Sequence, residues 1–201
     1  MKRKTRRTLL ALAAALVMAA LASVAAFAVD ETSFRMVRSQ SAVANDCMVG
    51  ARADVNIRTV GVQQVMTISA TNMPERTLFT IFVIQQPNAP FGLVWYQGDL
   101  LTDQYGRGQA TVRGIFSEET FAFAPDSVPA PQVDDQDAEE NPTFDPVHPF
   151  HLGMWFASSA EAQQAGCSDT VTPFDGDHEA GIQAMSTRNF GNLNGPLRRI
   201  Q

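Results

Sequence analysis

Beyond residue 50, apolar and polar residues alternate with a period of two along much of the chain. In the segment 51–58, Ala51, Ala53, Val55 and Ile57 fall on one side, with Arg52, Asp54, Asn56 and Arg58 on the other. That alternation predicts a half-buried strand. The segment 62–74 repeats it with Met66, Ile68 and Ala70, and ends at Asn72-Met73-Pro74. Residues 77–87 differ. Phe79, Ile81 and Val83 fill one face, while Leu78, Phe82 and Ile84 fill much of the other, which predicts a strand covered on both sides. Pro87 and Pro90 close it, because proline has no N–H to give a central ladder. Residues 93–101 and 109–116 read as the arms of a hairpin, with Asp103-Gln104-Tyr105-Gly106 as its turn. Phe121 and Phe123 again have strand spacing. In the segment 150–156, Phe150, Leu152, Met154 and Phe156 alternate with His151, Gly153 and Trp155. Ser158-Ser159-Ala160-Glu161 is a capping box, in which hydroxyl and carboxylate satisfy early backbone N–H groups. It predicts one short helix near 158–166, with Gly166 as its left-handed stop. Short strands separated by turn signals, with one helix, predict a mainly β chain. The expected form is an antiparallel β-sandwich, immunoglobulin-like in general shape.

The first residues carry a different pattern. MKRKTRR is followed by an uncharged apolar run that ends in Ala26-Phe27-Ala28, a small-x-small cleavage pattern. Residues 1–28 therefore read as a signal peptide. An uncleaved N-terminal membrane anchor is the alternative, since the run is long enough to span a bilayer. Residues 29–46 read as an extended arm, and 47–201 as the β-sandwich domain. That domain is interrupted at 125–149 by a long acidic loop holding six of the chain's 11 prolines.

Without the leader, ten arginines face 21 acids, a formal balance of −11, and no lysine remains. A chain so charged should bind neither nucleic acid nor an anionic membrane surface. From residue 114 to 187 there are 14 acids and no Lys or Arg, a surface that is either simply solvated or attracts cations. Cys47 and Cys167 are the only cysteines, and in an exported chain an even count invites a disulfide.

Candidate chemistry centres on three histidines. His148 and His151 have the spacing H-x-x-H, but on a strand positions i and i+3 face opposite ways. A shared metal ion would then need a bend at Pro149, or His151 and His178 brought together with an acid. Asp175, Asp177 and Glu179 form a compact acidic turn around His178 that offers oxygens to Ca²⁺. Zn²⁺ is the other candidate ion. Asp99, expected at a bulge, and Asp103 form a carboxylate pair of the kind used in acid–base work, or simply belong to a turn. Trp95, Tyr96 and Tyr105 cluster with Phe91 around the predicted hairpin and offer an aromatic contact surface. The chain contains no G-x-S-x-G, H-E-x-x-H, P-loop or G-x-G-x-x-G motif. With no lysine after the leader, Schiff-base chemistry is excluded.

The segments FVIQQPNAPFGLVWYQGDLLTDQYGRG, HLGMWFASSAEAQQAGC and TPFDGDHEAGIQAMSTRNF resemble those of a group of exported bacterial single-domain proteins of unassigned function. The likeness covers roughly residues 50–200. It implies an extracytoplasmic domain and assigns no activity to any residue. The expected role is therefore a secreted or surface-exposed module that binds an extracellular ligand or cell-surface component without catalysis. The rival is a small metal-dependent extracellular enzyme using His151, His178 and Asp177, with or without His148.

Overall fold

A computed structural model describes residues 31–117, 148–172, 174 and 177–200. The predicted leader, the strand spacing at Phe121 and Phe123, Asp175 and most of the acidic loop lie outside these residues. Eight strands are present among them: β1 (Glu31–Arg38), β2 (Arg52–Val60), β3 (Gln63–Thr71), β4 (Leu78–Ile84), β5 (Val94–Leu101), β6 (Gly108–Gly114), β7 (His151–Phe156) and β8 (Gln183–Ser186). Two short helices, α1 (Gln40–Ala44) and α2 (Ser159–Gln164), and a 3-10 turn at Pro196–Arg199 complete the set.

The mainly β, antiparallel character is as the alternation predicts. The arrangement differs from two stacked sheets: the strands form one sheet in the order β5-β4-β7-β8-β1-β2-β3-β6. The sheet curls until its outer strands meet at a bridge between Thr102 and Gly108, which makes it a nearly closed barrel. A rolled sheet buries one face of each strand just as a sandwich does, so alternation alone does not separate the two. The predicted hairpin is corrected on the same ground. Its arms are β5 and β6, but they pair with β4 and β3, and converge on each other only at that bridge.

The predicted N-terminal arm is also more than an arm. Residues 31–38 are an internal strand, paired with β2 on one side and β8 on the other. Phe34 lies opposite Val55, and Met36 opposite Ala53, so β1 feeds two large side chains into the core. The barrel interior is filled by Met36, Ile57, Met66, Ile68, Phe79, Ile81, Leu100, Leu152, Met154 and Phe156, all of them buried. Burial of β4 and β7 on both faces matches the run that is apolar on both sides.

The helix near 158–166 forms as predicted. Ser158 Oγ accepts from the Glu161 N–H at 3.2 Å. The Glu161 carboxylate accepts from the Ser158 hydroxyl at 3.0 Å with one oxygen and from the Leu78 N–H at 3.0 Å with the other, tying α2 to the start of β4 rather than to a backbone N–H of its own first turn. At the other end Gly166, at φ +75°, donates to Gln163 O, and the Cys167 N–H donates to Ala162 O. This is the paired bonding of a Schellman motif. It delivers Cys167 to Cys47, and the two form a disulfide across 120 residues. Such a bond fits an extracytoplasmic location. Among the described residues no helix is long and apolar enough to cross a membrane.

Candidate functional site

The outward face of β5-β4-β7-β8 brings together the segments that the sequence singles out. Register places Asp99 opposite Thr80, Thr80 opposite Trp155, and Trp155 opposite Gln183. The next row is Tyr96, Phe82, Gly153 and Ser186. Tyr96 and Asp99 are three residues apart and would ordinarily face opposite ways. The register slips between Ile81 and Phe82, leaving Gln97 as an extra residue, and this β-bulge turns both to one face. The expected bulge near Asp99 is therefore present.

Three groups in the first row are buried with no hydrogen-bond partner: Thr80 Oγ1, Trp155 Nε1 and Gln183 Nε2. Thr80 is 7% exposed, Trp155 0% and Gln183 3%. Leaving a polar group buried and unpaired costs roughly 1–3 kcal/mol. Three in one row is a concentration that packing does not explain. A Cβ built on Gly153 would clash with the Trp155 benzo ring and lie 2.9 Å from Gln183 Nε2, so indole and amide share the space over that glycine.

Aromatic rings enclose the row. Phe174 stacks on Trp155 with centroids 4.5 Å apart, and Phe82 and Phe91 meet the indole edge-on at 5.4 and 5.1 Å. The row ends on β5, where Asp99 is exposed. There the Tyr96 hydroxyl is held above the ordinary tyrosine pKa, first by partial burial, then by its hydrogen bond to Asp99 and that carboxylate's charge.

The predicted aromatic surface lies along the same edge. Trp95 is 62% exposed, Tyr96 52%, Leu101 62% and Tyr105 70%. Asp103 serves its own turn: Oδ1 accepts from the Tyr105 N–H at 2.8 Å and from the Arg107 N–H at 2.9 Å. Those two bonds are the main reason its pKa lies below the usual carboxylate value.

The histidines part company. His151 is buried in β7 on the face opposite Leu152 and Met154, as the alternation predicts. Its Nε2 meets the Asn192 carbonyl at 3.1 Å and must carry the proton there, while Nδ1 lies 2.9 Å from Thr187 Oγ1. Burial is the largest influence on its pKa and lowers it. His148 stacks flat on Phe150, with centroids 5.0 Å apart. Asp177, His178 and Glu179 lie exposed in the later turn, with His178 at φ +57°. Among the described residues no group of three His, Cys, Asp or Glu side chains could hold a metal ion.

The sequence reading named Trp95, Tyr96, Asp99 and Tyr105, which lie along β5 and its turn, but not Thr80, Gln183 or Phe174, which lie in or over the row. The available signal was a single polar residue inside an apolar run: Thr80 within 78–84 and Gln183 within 180–185. No family model matches this chain, and no curated protein matches it.

Proposed function

We propose that this protein is an exported, non-enzymatic binding protein that attaches to a polysaccharide of the cell surface along the β5 edge. The observation that carries this reading is the exposure of Trp95, Tyr96, Leu101 and Tyr105 on one strand and its turn. Large apolar side chains aligned on one edge mark a contact surface, whereas isolated ones do not. Ring faces with polar neighbours suit sugar rings, and Gln97, Asp99 and Arg107 supply those neighbours. Export is supported by the leader pattern of residues 1–28, by the disulfide, and by the resemblance to exported bacterial domains. The metal-dependent reading draws no support from His151, whose ring nitrogens both face protein groups.

The test is sedimentation of the purified mature chain with cell-wall polysaccharide isolated from the producing cells. The variant W95A/Y105A should lose at least about tenfold in affinity, as central aromatic anchors do, with an unchanged melting midpoint. Equal binding by variant and parent would refute the assignment. N-terminal sequencing of the exported chain should begin at Val29.

A further inference from the structure

The structure points to a more specific subsite beside that edge. We propose that Thr80, Trp155 and Gln183 form a recognition site for the acetamido group of an N-acetylated amino sugar. This rests on the edge-binding reading and names the chemical group that the bound polymer would present.

The chemistry of the row selects the group. Trp155 Nε1 and the Gln183 amide nitrogen are donors only, and both lack a partner. A carbonyl oxygen has two lone pairs and accepts from two N–H groups at once. Thr80 Oγ1, also unpartnered, can accept as well as donate. It lies between the indole and Asp99 in the row and suits an amide N–H. The rings of Phe82, Phe91 and Phe174 suit a methyl group.

Charge argues against an anion. The rows on this face hold Asp99, Thr80, Trp155, Gln183, Tyr96, Phe82, Gly153, Ser186, Ile84, Val94 and His151, with no arginine among them. A carboxylate or phosphate would meet the Asp99 carboxylate without a compensating cation. A hydroxyl in place of the acetamido group could accept from both donors, but it brings no methyl group to the Phe82, Phe91 and Phe174 rings. Entry is from the β5 side, where Asp99 is exposed and Tyr96 half exposed, so a sugar ring lying on the edge can direct its acyl group inward.

The chain has two tryptophans, Trp95 and Trp155, so comparison with the ¹⁵N spectrum of W95F identifies the indole N–H resonance of Trp155 in the parent, which is the protein titrated. N-acetylglucosamine should shift that resonance saturably, and glucose should not. The variants Q183L and T80V should weaken the response at least about tenfold, the size of a lost buried hydrogen bond. Each should melt no lower than the parent in the absence of sugar, because each removes an unpaired buried polar group. A merely structural role predicts the reverse. An unmoved resonance, an equal response to glucose, or an exchange cross-peak to one bound water that the sugar does not displace would each overturn the subsite. Polymer binding that is lost in W95A/Y105A but kept in Q183L would overturn the subsite and leave the edge reading standing. Polymer binding unaffected by either variant would remove both.

Discussion

A buried imidazole makes folding sensitive to acid. His151 is 0% exposed, and burial, the largest influence, pushes its pKa below the ordinary 6.5, partly opposed by its hydrogen bonds to the 187–192 segment. Above about 6.5 the ring is neutral in the folded and the unfolded chain alike, and its contribution to stability is whole. As pH falls below that value, the unfolded chain binds the proton first, and stability is lost until the lower folded value is passed. Urea unfolding between pH 8 and 5 should therefore show stability falling on acidification by up to about 1.4 kcal/mol per pH unit. H151Q should flatten that slope, and an unchanged slope would assign it elsewhere. Gly153 makes a second residue-scale case. Any Cβ there strikes the Trp155 ring, so G153A should cost about 1–3 kcal/mol by forcing the indole off its site. The alternation in 150–156 shows which side His151 and Trp155 face. It says nothing of Thr187 and Asn192, more than thirty residues away, which decide what the imidazole does.

At the scale of elements, α2 was the most legible piece because all of its signals are local. The cap residue, the acid three places on and the terminal glycine all lie within ten residues. Ser158 and Gly166 take up their expected places, while the Glu161 carboxylate serves the Leu78 N–H and the Ser158 hydroxyl instead of a backbone N–H of its own first turn. Gly166 has open space around its missing side chain, so G166A tests backbone conformation alone. It should destabilise by about 1 kcal/mol, since only the left-handed φ of +75° opposes an alanine there. A calorimetric midpoint within error of the parent would contradict this. Strand partners were less legible. Alternation encodes which face of a strand is buried, not its neighbour, so β5 and β6 looked like a closed hairpin although each pairs on its other side. β1 was harder still. Phe34 and Met36 are its only large buried side chains, and the polar residues around them are spent on pairing with Asp54 and Asn56.

For the molecule as a whole, the bond between Cys47 and Cys167 is the constraint with the longest reach. It was readable from two cysteines in a chain with an export pattern, because pairing needs no knowledge of the fold between them. The candidate site was only partly readable, because it is assembled from four strands and a tail residue, and its three unpartnered groups are defined by what fails to reach them. The bridge joins the turn after α1 to the end of α2, so the loop it closes contains β2 through β7. Closing 120 residues removes about 4–5 kcal/mol of entropy advantage from the unfolded chain. Domains are stable by only about 5–15 kcal/mol, so this is a large share. The variant C47S/C167S should therefore melt about 10–20 °C below the parent, at roughly 2–4 °C per kcal/mol for a chain of this size. Reduced parent should match the variant. A shift of only a few degrees would mean that the open unfolded chain already keeps these segments close, and that the barrel rather than the bridge holds α1 against α2.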